Sequence, residues 1–156
     1  MANTLWDTAR NTFLSRGSDA IDWDAQVSNG SGSIRLGVLK TSSGYTYTGS
    51  DNYFSALGSN VWTNAGNQTY NGGGSDSNTI VGTASTGIAD ASDISLTALA
   101  NSSVACGAFC FWQQGAASGS SPLILYIDTA NGLPVTPNGQ DLSFVWDNGS
   151  NKIFKL

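Results

Sequence analysis

The chain has 156 residues, a net charge of −5 and 11% charged residues, with 19 glycines, no histidine and no glutamate, so that every acid is an aspartate. This length suits one domain over residues 1–156, and six scattered basic residues (Arg10, Arg16, Arg35, Lys40, Lys152, Lys155) form no stripe able to neutralise phosphates, which excludes nucleic acid as an expected partner. No apolar run approaches the roughly 20 residues of a membrane span, and MANTLWDTAR lacks the basic and apolar regions of a signal peptide, so a soluble protein made in the cytoplasm, without a membrane partner, is expected.

Abundant Ser, Asn, Asp and Gly weaken helices, while Thr, Val, Ile and aromatics suit pleated strands. The predicted fold class is therefore mainly β: an antiparallel β-sandwich or barrel-like domain with one N-terminal α-helix. That helix is predicted over about residues 3–16, where Leu5, Ala9 and Phe13 recur at i+4 beside Trp6, Asn3 or Thr4 can cap the start, and Gly17 follows as a stop. IDWDAQV and SIRLGVLK then read as two strands of a hairpin-like start, parted by Asn29 to Gly32, with Ile34, Leu36 and Val38 on one face.

Residues 41–87 are rich in Gly, Ser and Asn and read as a variable, solvent-facing insertion holding short β-prone pieces and a loop tip at Gly72–Gly74. Order returns over about 92–156, where DISLTAL alternates, SVACGAFCFW is apolar on both faces, and PLILYID and LSFVWD follow. Turn chemistry at Asn101, Gly115 to Ser121, Asn131-Gly132, Pro137-Asn138-Gly139 and Asn148-Gly149 separates them, which predicts closely spaced antiparallel strands.

Cys106 and Cys110 stand four residues apart in an expected strand, a span of about 13 Å and roughly twice what a disulfide permits. Two buried free thiols are expected unless Gly107 bends the chain sharply. No metal site is expected, because a zinc centre would lack ligands without histidine.

Catalysis lacks its usual titrating groups, since both His and Glu are absent. The Asp22/Asp24 pair around Trp23 and the Asp90/Asp93 pair have the carboxylates a glycosidase needs, yet such spacings in Gly/Ser-rich sequence suit turns and caps. Asp76, or Asp90 with Asp93, offers oxygens for calcium, but D-x-x-D alone lacks an EF-hand pattern. No catalytic residue, cofactor or bound metal is expected. The sequons at Asn29, Asn67, Asn101 and Asn148 read as Asn-rich turns. Among the aromatics, Trp112 and Trp146 fall in apolar strands and read as core. Tyr45, Tyr47, Tyr53 and Trp62 lie in the polar middle, where exposed rings would stack on a glycan or anchor a partner.

Three stretches resemble a group of small virion proteins encoded in tailed-bacteriophage structural modules: ANTLWDTARNTFLS with IDW, SIRLGVLKTSSGYT, and SPLILYIDTANGLPVTPNGQDLSFVWDNGSNKIFKL. The likeness covers about residues 1–45 and 92–156 and departs over 46–87. It implies a non-enzymatic structural protein on the exterior of the virion, made in the host cytoplasm, with decoration (cement) of the capsid ahead of a tail or baseplate role. The partners so implied are the major capsid protein and sister subunits, often as a homotrimer at local threefold points. An acidic, sparsely charged β domain suits an outer position better than one beside packaged DNA. Leu5, Trp6, Phe13, Ile153, Phe154 and Leu156 are the candidate assembly contacts, with core filling the alternative for each. A carbohydrate-binding adhesin module built on Tyr45, Tyr47, Tyr53 and Trp62 is the rival from another class.

Overall fold

The most apolar segments of the chain lie at the centre of one sheet that is covered on both sides. A computed structural model describes residues 3–14, 20–24, 31–40, 45–61, 79–80, 82–96, 103–150 and 152–156. Its strands are β1 (Thr4–Leu5), β2 (Ile34–Lys40), β3 (Thr79–Ile80), β4 (Gly82–Ser85), β5 (Ile88–Ala91), β6 (Ile94–Leu96), β7 (Cys106–Gln113), β8 (Leu123–Ile127), β9 (Leu142–Phe144) and β10 (Phe154–Lys155), with one α-helix among the described residues, α1 (Asp7–Leu14). All their pairings are antiparallel, in a five-stranded sheet of order β1-β8-β7-β2-β3, a three-stranded sheet β10-β5-β4 and a two-stranded sheet β6-β9. The fold is mainly β with an N-terminal helix, as the composition predicts.

One face of the large sheet carries Ile34, Leu36, Phe109, Phe111, Leu125 and Ile127, which pack on Trp23, Ala89 and Trp146 and on half-buried Phe144 and Phe154 from the two smaller sheets and their flanks. This layering is sandwich-like. The opposite face carries Leu39, Cys110, Trp112 and Leu123 and is covered by Trp6, Phe54, Leu57 and Val61. A strand covered on both faces has no solvent side to alternate, which explains the unbroken apolar runs of β7 and β8.

Several expectations need correction. The helix starts at Asp7 rather than near Asn3, because Thr4 and Leu5 are drawn into the edge of the sheet opposite Tyr126 and Leu125. Neither Asn3 nor Thr4 caps it. Asn3 instead ties down the loop after β8, donating through Nδ2 to the Thr129 carbonyl at 3.0 Å and accepting from the Thr129 N–H at 3.1 Å. The Trp6 carbonyl accepts the first helical bond, from Arg10 N at 3.1 Å. Gly17 lies outside the described residues.

The hairpin of IDWDAQV with β2 is not formed by the described residues 20–24, which hold no strand; residues 25–30 lie outside them. β2 is flanked by β7 and β3. Trp23 is instead pulled under the sheet, its ring 5.6 Å from Phe111 and 5.0 Å from Phe154 and its indole N–H bonded to the Asp90 carbonyl at 2.9 Å. Burial of one large aromatic here outweighs a local β preference.

The solvent-facing insertion is corrected too, as far as residues 45–61 are concerned. Phe54, Leu57 and Val61 are core residues, the first two on a 3-10 segment Phe54–Asn60. Phe54 N donates to Ser121 O at 2.8 Å and Leu123 N to Asn52 O at 3.0 Å, which stitches the segment to β8 and the turn before it. Residues 62–78, with the Gly72–Gly74 tip, lie outside the described residues.

β4 and β5 form a tight hairpin whose turn residues, Thr86 and Gly87, have φ of 53° and 77°. Such a turn suits a two-residue hairpin and favours Asn-Gly, whereas a β-branched residue at positive φ is strained. Thr86→Asn is therefore expected to stabilise the protein by about 1 kcal/mol, read as a higher urea midpoint with an unchanged slope.

Cys106 and Cys110 are free, buried thiols, as their spacing predicts. Burial pushes the Cys106 thiol up to about 11, against the opposing pull of Lys40, and raises Cys110 further. A thiolate is the nucleophile. Ellman's reagent at mildly alkaline pH should therefore find neither thiol in the folded protein and both after denaturation; rapid labelling of the native chain would contradict the packing of β7.

Candidate assembly surface

Five of the six candidate assembly residues lie around the contact of Phe13 on α1 with Phe154 on β10. Leu5 sits on β1; Phe13 projects from α1 onto Phe154 of β10, with ring centroids 5.9 Å apart. Ile153 N donates to the Ala89 carbonyl at 3.1 Å and Leu156 N to Gly87 O at 2.8 Å, so the segment 153–156 is laced to the β4–β5 hairpin. Leu5, Phe13, Ile153 and Phe154 are half-buried against the core, and Leu156 is 61% exposed. Leu14, at the end of α1, is 90% exposed and adds an apolar contact to the same helix.

Trp6 is the exception and needs correction. It is fully buried on the other side of the sheet, 5.6 Å from Tyr47 and 5.8 Å from Tyr126. Its neighbours in sequence alternate direction: Leu5 packs with the sandwich-like core and Trp6 with the opposite face. It offers nothing to a partner.

Around Phe154 the surface is hollowed twice. A cavity of about 200 Å³ is walled by Phe13, Trp23, Phe154 and Leu156 and edged by Asp22 and Asp24. A shallower cleft of about 270 Å³ lies between Leu5, Arg10, Ile153 and Lys155. Asp22 and Asp24 are exposed, and partial desolvation, then the hydrogen bond and charge of Asp24, raise the Asp22 carboxyl above the usual range. The pairing of these acids was legible from spacing. Their junction with Phe13 and Phe154 was not, because it joins segments from opposite ends of the chain.

The other acid pair does structural work. Asp90 accepts from the N–H of Ala91 at 2.9 Å and pairs with Lys152 at 3.4 Å, while Asp93 accepts from Trp146 N at 3.0 Å. These bonds hold backbone N–H groups at the end of β5 and after β9, and an ion pair, within the fold. Among the described residues no three metal-ligating side chains converge, and Asp76 lies outside them.

The tyrosines turn inward. Tyr45 and Tyr47 are half-buried, their rings 6.1 and 5.2 Å from Tyr126. The Tyr47 hydroxyl donates to the Leu5 carbonyl at 3.1 Å and that of Tyr45 to Asp51 Oδ2 at 2.9 Å. Burial, reinforced by the Asp51 carboxylate, raises the Tyr45 phenol; the indole N–H of Trp6 opposes this by proximity without forming a hydrogen bond. Tyr53 is half-buried and bridges Pro122 through the backbone. Trp62 lies outside the described residues, as do three of the sequon asparagines, Asn29, Asn67 and Asn101; Asn148 is exposed.

A further cavity, about 430 Å³, was not foreseen. It opens between Val38, Phe109, Ile127, Leu133, Phe144 and Trp146, and of the six assembly candidates only Ile153 reaches it. Its walls come from four strands, β2, β7, β8 and β9, and the loops after β8 and β9, with no common local pattern. No protein-family model matches the chain, and no curated protein or solved structure compared with it is similar to it.

Proposed function

We propose that the chain is a non-enzymatic structural subunit of a tailed-phage virion that decorates the outside of the capsid and cements it. The observation that carries this reading is the meeting of α1 with residues 152–156: the two stretches most like the virion group lie side by side, with Leu14 and Leu156 exposed beside half-buried Phe13 and Phe154. A rigid, mainly β body with apolar anchors at one junction suits docking on the major capsid protein and on sister subunits, a homotrimer being the expected order. Each contact is modest, and many copies on one lattice add up through avidity.

The absence of His and Glu from the sequence supports a non-enzymatic role. The adhesin alternative is disfavoured by Tyr45 and Tyr47, which are half-buried with their rings packed against Tyr126. Fractionation of phage into heads and tails tests the proposal. Heads should carry the protein, lose thermal stability when stripped of it, and regain it when the purified chain is added back. Finding it on tails alone would move the role to the tail or baseplate and overturn the cement reading.

A further inference from the structure

We propose that the cavity between the large sheet, β9 and the loop after β8 binds a free small molecule built on a neutral, planar aromatic ring system. The cavity, about 430 Å³, reaches down to Val38, Phe109 and Ile127, all of them buried, and so into the layer between the large sheet and β9. An apolar cavity of about 150 Å³ already holds benzene, so this one has room for more than a single ring.

The walls select for a ring. Phe109 and Phe144 meet edge-to-face at 5.0 Å, Phe144 and Trp146 lie near-parallel at 6.0 Å, and Phe109 and Trp146 stand 6.2 Å apart. Ile127 and Leu133 add aliphatic surface. A further aromatic group placed among three rings gains from offset-stacked and edge-to-face contact beyond the area it buries, which a saturated body of the same size does not. The Trp146 indole N–H is already bonded to the Ser92 carbonyl at 2.9 Å, so this side chain offers a ligand carbon surface rather than a donor.

The polar groups around the cavity are engaged within the fold. Asn3 exchanges two hydrogen bonds with the Thr129 backbone, at 3.0 and 3.1 Å, Lys152 pairs with Asp90 at 3.4 Å, and Asp147 Oδ1 accepts from Gly149 N at 3.0 Å. A sugar or an ion would compete with these bonds, and each polar group buried without a partner costs free energy. A neutral ring system gains by leaving water alone. A peptide strand, whose affinity comes largely from backbone hydrogen bonds, is less well served here than a free ring. Val145, 70% exposed and part of the lining, is apolar surface that a bound ring system covers.

The test titrates the full chain with naphthylmethanol and, as control, its fully hydrogenated analogue, followed by NMR at the methyl groups of Ile127, Leu133 and Val145. Saturable shifts at these methyls, with the aromatic alcohol bound about three- to tenfold more tightly than the saturated one, are the expected result. Val145→Trp changes an exposed position, leaves the core alone, and should abolish the shifts at Ile127 by filling the mouth. Phe144→Leu keeps an apolar side chain but removes one ring, and should bring the two affinities together. No saturable shift, equal affinities in the unmodified chain, shifts confined to residues outside the cavity, or shifts and preference unchanged in both variants overturn the inference. Tighter binding of acetyl-Gly-Trp-Gly-amide than of the free alcohol also overturns it, by making the site one for a peptide. The separation of heads from tails decides the cement reading independently of every one of these outcomes.

Discussion

Replacing Trp112 with alanine is expected to cost about 3–5 kcal/mol, a large share of the roughly 5–15 kcal/mol that keeps a domain folded. Trp112 is 1% exposed and sits mid-sheet, opposite Arg35 on β2 and Leu123 on β8. Its ring lies 4.4 Å from Phe54 and directly over Gly37, where an added Cβ would come within 2.7 Å of Cζ3. Among the described residues the indole N–H has no acceptor, so Trp112→Phe should cost far less than Trp112→Ala: part of the lost packing is offset by removing an unsatisfied buried donor. Gly37→Ala alone should cost about 1–3 kcal/mol through overpacking. In the Trp112→Phe background that cost should shrink, because the outer ring atoms it would strike are gone, and a double-mutant cycle in urea reads the coupling directly. Additive effects would mean that the ring does not rest on Gly37.

These expectations lean on the part of the fold that the sequence makes legible. β2, β7 and β8 announce themselves as β-rich apolar runs bounded by turn residues, and Trp112 and Trp146 are visibly core because they lie within such strands. What the sequence hides depends on partners far along the chain. Thr4 and Leu5 continue a helical pattern, and only the edge of β8 makes them a strand. Tyr45, Tyr47, Phe54 and Leu57 carry no usable period amid Gly, Ser and Asn, so their role in covering the second face of the sheet is invisible locally. Arg35 reads as one of a few scattered surface charges, yet it is 1% exposed, with Nε bonded to Gln114 Oε1 at 2.8 Å. The candidate surface divides the same way. Individual residues such as Phe13, Phe154 and Asp22 stand out by type, but whether each fills the core, lines a cavity or faces outward depends on the contact of α1 with β10 through Phe13 and Phe154.

Two glycines four residues apart in one turn should respond in opposite directions to the same substitution. Gly115 leads out of β7, and a Cβ there would lie 2.1 Å from the Ser120 carbonyl oxygen and 2.7 Å from its carbon, both backbone atoms that cannot swing aside. The turn is tightly laced: Gly115 N donates to Ser121 Oγ at 2.9 Å, that hydroxyl donates to the Ala117 carbonyl at 2.8 Å, and Ser120 N reaches the same carbonyl at 2.9 Å. Displacing Ser120 also moves the Ser121 carbonyl that receives the Phe54 N–H, and the Pro122 carbonyl that receives the Gln113 N–H. Gly115→Ala should therefore cost about 3 kcal/mol or more, at or beyond the top of the overpacking range. Gly119, by contrast, meets nothing within 4 Å and has no positive φ. Gly119→Ala should stabilise by about 0.4–1 kcal/mol through reduced freedom of the unfolded chain. Because the pair shares one loop and one chemical change, a difference of this size in urea midpoints isolates the close backbone approach at Gly115, and similar midpoints for the two variants would refute it.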